Sequence, residues 1–207
     1  TLPNCEVRLG NYCFLDASGL TKIIFKENTK ITAIEGTIFK NTNLSEFIID
    51  QNNPYYTASN DLLLSKDGKK IIFVAPNVLS TDYVISNNYD VIGSGAFSGA
   101  NLTSITINNP NTIIEEYAFA NCENLVKVVF PTTKGIIIKA HAFNYASSLA
   151  EIENLGGYMN RYGEFVECDP RNSELLEMVY DKIFETNGIS REEAQKLLRE
   201  KRIHSFI

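Results

Sequence analysis

The apolar positions of this chain recur in one order, five times over. Each copy runs small residue, Phe, short polar turn, Leu, two residues, then two β-branched or aromatic residues spaced by one. The Phe positions are Phe14, Phe39, Phe97, Phe119 and Phe143, and Leu20, Leu44, Leu102, Leu125 and Leu149 follow five or six residues later. Three residues after each Leu stands Ile23, Phe47, Ile105, Val128 or Ile152; Phe25, Ile49, Ile107 and Phe130 complete the alternation, which the fifth copy breaks with Asn154. Alternation of period two predicts short strands with one buried face. A second apolar pair opens the next copy: Ile31 with Ile34, Val91 with Ile92, Ile113 with Ile114, and Ile137 with Ile138. A unit this small cannot bury its own apolar face and must stack on copies of itself. The five Phe rings are therefore expected in one continuous interior, each stabilising it by about 1.5–3 kcal/mol.

The rhythm is interrupted twice. Phe-to-Phe spacings are 25, 58, 22 and 24, and the long gap holds Asn53-Pro54-Tyr55-Tyr56 and two apolar runs joined by Lys66-Asp67-Gly68-Lys69. An Asp-Gly turn between apolar runs predicts a hairpin. Phe73 lies 24 residues after Ile49, so the second arm is expected to keep the stacking rhythm. Residues 53–90 read as a modified repeat and not a separate domain. Beyond Asn154 the repeat stops, and Gly156-Gly157-Tyr158 reads as a break. Leu175, Leu176, Val179, Tyr180, Ile183 and Phe184 share one helical face, and Gly188 suits a stop. Ser190 with Glu193 makes a capping box for a second helix. The expected organisation is a repeat domain over 1–154 and a helical appendage over 155–207.

Composition narrows the function classes. Of 207 residues, 44% are hydrophobic, a foldable globular composition, and the net charge is −6. That charge argues against nucleic acid, because phosphate binding needs a positive footprint, and it offers no polybasic signal for acidic membranes. No apolar run reaches membrane-spanning length. The chain begins Thr1-Leu2-Pro3 without a Met, as expected of a processed or excised piece. Cys5, Cys13, Cys122 and Cys168 form no C-x-x-C pair, and His141 and His204 are the two His, so no metal or cofactor site is expected. Cys122 occupies a place held elsewhere by Ala17, Ala100 and Ala146, and Cys13 one held by Ile38, Ala96, Ala118 and Ala142. Both read as small core residues. A Cys5–Cys13 disulfide is one of several pairings that four Cys permit.

At Ala96-Phe97-Ser98-Gly99-Ala100-Asn101-Leu102-Thr103-Ser104-Ile105 and at Ala118-Phe119-Ala120-Asn121-Cys122-Glu123-Asn124-Leu125-Val126-Lys127-Val128 the pattern becomes specific. It resembles the BspA-like leucine-rich repeats of bacterial surface proteins, over roughly residues 5–154. The stretch from Asn53 to Pro76 also resembles an insertion common in that family. The resemblance implies a right-handed, curved, β-rich leucine-rich-repeat solenoid, here followed by the C-terminal α-helical hairpin. It implies an exported or cell-surface protein that binds host or matrix proteins, with no catalytic residues.

Apparent catalytic motifs have simpler readings. Ile92-Gly93-Ser94-Gly95-Ala96-Phe97 mimics a kinase glycine loop, yet Ser98 replaces the third Gly and the downstream kinase elements are missing. Counting back from Glu193 puts Lys182 and Phe184 in calcium-ligand slots, where neither can coordinate. Glu115-Glu116 and Glu151-Ile152-Glu153 fall on outward positions and read as solvated carboxylates. The better candidate is the outward row of the strands, where stacking is expected to align Ile24, Ile48, Ile72, Thr106 and Val129, with Lys127 beside them. Exposed apolar residues in a continuous stripe mark a protein-binding surface, although sheet propensity alone also favours β-branched residues. Tyr55 and Tyr56 are the candidate aromatic anchors. The resulting reading is a non-enzymatic module for adhesion or recognition. The alternative is an assembly role in which the C-terminal helices dimerise or dock.

Overall fold

The computed structural model describes residues 1–34, 38–59, 61–76, 80–131, 136–139, 141–149 and 151–153, together with 157–159 and 165–167. Two rows of short strands run along the stack. The first contains β2 (Lys22–Phe25), β4 (Glu46–Ile49), β8 (Asp82–Ile85), β10 (Ser104–Ile107), β12 (Lys127–Val129) and β14 (Glu151–Glu153). The second contains β1 (Glu6–Leu9), β3 (Lys30–Ile34), β7 (Lys70–Val74), β9 (Val91–Ile92), β11 (Ile113–Ile114) and β13 (Ile137–Ile138). Neighbours are parallel in both rows. Each coil carries the chain once round the core, so it returns in the same direction without a helical crossover.

The Leu and Phe positions face inward as expected. Leu44, Leu102, Leu125, Phe97, Phe119 and Phe143 are essentially inaccessible, and Phe97, Phe119 and Phe143 stack at 5.0 and 5.1 Å between ring centroids. A third ladder runs through the turns. Phe97 N–H donates to Ala118 C=O at 2.8 Å, and Phe119 N–H to Ala142 C=O at 2.7 Å. At four of the five Phe the turn bends sharply through left-handed residues two before and two after the ring, Tyr12 and Asp16, Gly95 and Gly99, Tyr117 and Asn121, His141 and Tyr145, and Asn41 is left-handed two after Phe39. Glycine takes that conformation freely; the other side chains pay a steric penalty that the stack over-determines.

The interior is not one column. Between β4 and β8 the chain makes an antiparallel meander of β5 (Tyr56–Ser59), β6 (Leu62–Ser65) and β7. The hairpin turn between β6 and β7 is the expected one: Gly68 is left-handed at φ 72°, and its N–H donates to Ser65 C=O. The meander is a wall with a core on each side. Leu63, Phe73, Ala75 and Tyr56 join the N-terminal cluster with Leu44, Phe47 and Phe39. Leu62, Leu64, Ile71 and Val74 join the C-terminal cluster with Phe97, Phe119 and Phe143. Side chains alternate across a strand, and an irregularity in the β6–β7 pairing that skips Ile72 puts Ile71 and Phe73 on opposite faces, so three consecutive strands serve two interiors. Phe14 stacks on Phe39 at 5.6 Å in the first cluster, and Ile38, Phe39, Phe73, Val74 and Phe97 line the seam between the two.

Several readings of the sequence change. Cys5 and Cys13 are free, exposed thiols, so the Cys5–Cys13 disulfide is not made and Cys13 is no core residue. Its coil has a described neighbour on one side only, whereas its counterparts Ile38, Ala96, Ala118 and Ala142 are covered. Glu115 is not simply solvated: its carboxylate lies 2.7 Å from Lys70 Nζ and accepts Ser94 N–H at 3.0 Å. Cys122 is buried as expected, and burial pushes its thiol up to about 12. The break at Gly156-Gly157-Tyr158 is in part a strand, since β15 (Gly157–Met159) pairs antiparallel with β16 (Phe165–Glu167). The two helices expected after Asn172, the Gly188 stop, Cys168, His204 and the side chain of Ile152 lie outside the described residues.

Candidate functional site

The outward face of the first row follows from strand register. Ile24 stands opposite Ile48, and Lys22 opposite Glu46, with 3.6 Å between their charges. Further along, Val84, Thr106, Val129 and Glu153 are successive partners, and beside them run Asp82, Ser104, Lys127 and Glu151. Ser104 Oγ donates to Asp82 Oδ1 at 2.6 Å across that second line. From β8 to β12 the surface is therefore a β-branched line of Val84, Thr106 and Val129 beside a polar line of Asp82, Ser104 and Lys127, each in parallel register.

The structure breaks this ladder in two and corrects one member. Ile72 lies on β7, which pairs with β6 and β9 in the opposite row, so it does not stand between Ile48 and Thr106. There it lines a groove of about 220 Å³ with Ile31, Tyr56, Lys70, Gly93 and Glu115. Val84 of β8 takes the place expected of Ile72. The missed signal is the Tyr83-x-Ile85 pair, 22 residues ahead of Ile105-x-Ile107 and equal to the Phe97 to Phe119 spacing. The hydrophobic run of β7 outweighed it in the sequence because buried strands are more continuously apolar. β4 and β8 are not hydrogen-bonded to each other. Ile24, Ile48, Thr106, Lys127 and Val129 are half-buried, whereas Val84 is 59% exposed.

The two tyrosines of the insertion part company. Tyr55 is exposed, with Lys30 Nζ 5.4 Å from its ring centre. Tyr56 is buried and is not available as a surface anchor. Ile31 N–H donates to its hydroxyl at 2.8 Å, and its ring packs edge-on against Phe25 at 5.4 Å. A buried phenol needs such a partner, which is why this Tyr points inward and its neighbour outward.

A cleft of about 130 Å³ opens where the first row is interrupted, lined by Ser59, Asp61, Leu62, Ile71, Tyr83 to Ser86 and Tyr89. Tyr83 Oη donates to Asp61 Oδ2 at 3.0 Å, and burial, then the Asp61 carboxylate, push the Tyr83 phenol well above its ordinary value. The phenol therefore remains a donor across the physiological range. At the turn edge, exposed His141 stacks on Tyr117 at 5.4 Å. Gly93 of the glycine-loop mimic is set by packing, because a Cβ there would lie 2.5 Å from Ile71 O. Among the described residues no cluster of His, Cys, Asp and Glu could hold a metal ion, and no helix is long and apolar enough to cross a membrane.

Comparison with known proteins agrees with this architecture. The family model described as BspA type leucine rich repeat region matches in 6 copies over residues 1–59 and 76–168. The match runs past Asn154 and takes in β15 and β16, while the gap in it, 60–75, falls on the core of the meander. No curated protein matches the chain at a significant level. Among solved structures, the chain is similar to the pneumococcal vaccine antigen PcpA, at 18% identity and TM-score 0.50, covering 72% of this chain and 43% of that one. It is also similar to a leucine-rich repeat protein from Eubacterium ventriosum (19% identity, TM-score 0.47, 72% of this chain and 47% of that one). A leucine rich cell surface protein from Faecalibacterium prausnitzii matches at 22% identity and TM-score 0.46, over 75% of this chain and 48% of that one. The chain thus spans less than half the length of these three structures.

Proposed function

The chain belongs to the BspA type leucine-rich-repeat family, and from that premise we propose that it is a non-catalytic protein-binding module acting in adhesion or recognition at a cell surface or after secretion. The observation that carries this reading is the parallel register of Val84, Thr106 and Val129 beside Asp82, Ser104 and Lys127. A β-branched, largely apolar line bordered by a polar one has the composition of a recognition patch, with a dry centre and a wet rim. Ile24 and Ile48 extend it on the other side of the break, and Tyr55 offers an exposed aromatic ring in the insertion, beside Lys30 of the second row. A protein ligand, host or matrix protein included, would be held by shape complementarity along this face.

The test is capture of extracellular matrix proteins by immobilised chain, wild type against Ile48→Asp with Val129→Asp. The double variant is expected to lose capture while its unfolding midpoint stays near that of the wild type, since both side chains are only half-buried. Capture that persists undiminished would remove this face from consideration.

A further inference from the structure

The interruption of the first row leaves, among the described residues, a strand edge with no strand paired to it. In the parallel ladder Asn108 N–H donates to Ile85 C=O, and Ser104 N–H to Thr81 C=O. With the register Ser104↔Asp82 to Ile107↔Ile85, the residues of β8 directed at β10 are Thr81, Tyr83 and Ile85. Val84 N–H and C=O therefore point the other way, where β8 is the last strand of its sheet. The Asp82 carbonyl on that side already accepts Ser80 Oγ at 2.6 Å. Among the described residues Val84 is left as the open donor and acceptor pair, and its 59% exposure sets it apart from half-buried Thr106 and Val129, which have strands on both sides. Natural edges are usually blunted by Lys, Pro or a covering element; this one carries Asp82 and apolar Val84.

The adjoining cleft has a definite chemistry. Buried Leu62, Ile71 and Ile85 form its floor, Ser59, Ser86 and Tyr89 its margin, and Asp61 supplies a carboxylate with no basic residue among its lining. The chain as a whole carries −6.

We propose that the outer edge of β8 accepts an extended basic segment of a partner protein, which adds as a strand beside Val84 and sets a Lys or Arg toward Asp61. Strand addition takes its affinity from main-chain hydrogen bonds and its selectivity from alternate side chains. Here alternate positions meet an apolar floor and a carboxylate. The proposal rests on the protein-binding reading above but uses the edge main chain of β8 and its cleft, not the outward side chains of the row.

The probe is a capped peptide of alternating Lys and Val, about six residues long, the ordinary length of a strand. It is titrated into the full chain and followed by amide NMR and hydrogen exchange. Saturable shifts are expected at Val84 and Ser86, with Val84 exchange slowed about tenfold at saturation. Asp61→Asn keeps an acceptor for Tyr83 Oη and is expected to weaken binding about three- to fivefold, the size of a partly exposed ion pair. The matching Glu/Val peptide should bind more weakly than the Lys/Val one. Equal binding by a peptide N-methylated along its bonding edge, equal binding by the Glu/Val peptide, or no saturation by about 1 mM would each overturn the proposal. So would protection of Val84 through dimerisation of the peptide-free protein. The Ile48→Asp with Val129→Asp variant should bind the peptide normally. Failed peptide binding beside successful matrix capture sinks this site alone, and the reverse sinks only the face.

Discussion

Phe73 presents its edge to Phe39 with ring centroids 5.0 Å apart and planes at 80°, while the next residue, Val74, faces the other core. Val74 also takes the backbone place that Phe holds in ordinary coils, since its N–H donates to Ala96 C=O as Phe97 N–H does to Ala118 C=O. The inserted meander is thus the joint between two stacks, and its two faces are energetically distinct.

Phe73→Ala should cost about 3–5 kcal/mol, transfer plus cavity, and Phe119→Ala a similar amount in the C-terminal stack. Phe14→Ala should cost clearly less, because that ring is only half-buried. Urea denaturation followed by circular dichroism ranks the three; a Phe14 variant as unstable as the Phe73 variant would contradict the packing described.

Tyr145 is 51% exposed and left-handed at φ 56°. Replacing it with Gly relieves steric strain of about 1–2 kcal/mol, offset in part by about 0.5–1 kcal/mol of unfolded-chain entropy. Net stabilisation by Tyr145→Gly is expected in thermal unfolding. Tyr117→Gly should gain less, since it also removes the stack on His141, worth about 0.5–1.5 kcal/mol.

Glu115 ties three elements together through Lys70 of β7, Ser94 N–H and, at 3.9 Å, Lys139. Glu115→Ala leaves that half-buried N–H without its acceptor and should cost about 1–3 kcal/mol. Lys70→Met should cost less, because the carboxylate keeps its remaining partners. Paired unfolding curves of the two variants decide the order.

Cys122 is fully buried, its Sγ lies 3.1 Å from Phe97 O, and its thiol is raised to about 12. The reactive species is the thiolate, so native protein at pH 8 should show labelled Cys5 and unlabelled Cys122 by peptide mapping. Urea should equalise them.

Asp67 in the β6–β7 turn accepts hydrogen bonds from Ser65 Oγ at 2.6 Å and Lys69 N–H at 3.0 Å, and these, the hydroxyl first, hold its carboxyl below the ordinary value. A carboxyl lowered by folding contributes stability that is present above its unfolded value and lost as pH falls through the folded one. The Lys69 amide should therefore lose protection below about pH 4, with amides of the Phe119 coil unaffected until lower pH. Asp67→Asn should flatten that dependence.

Local spacing determined most of the repeat. The Phe, Leu and alternating Ile positions are set by a short period that any coil must satisfy to bury its face, so the stack of Phe97, Phe119 and Phe143 is legible in the sequence alone. The meander was legible as a hairpin because Asp67-Gly68 specifies a turn within four residues. Its place in the fold was not. Whether β7 joins the first row or the second depends on which strand offers a free edge, β4 or β9, and that is a long-range choice. That is why local spacing places Ile72 on the first row, passes over Val84, and leaves Tyr56 at the surface, although the structure puts Ile72 on the second row, Val84 in the first, and Tyr56 inside under Ile31 N–H. Sequence alone determined that coils stack, since side-chain alternation is local. Only the tertiary structure decided where the stack is divided and which edge stays open, because those depend on hydrogen-bond partners far apart in the chain.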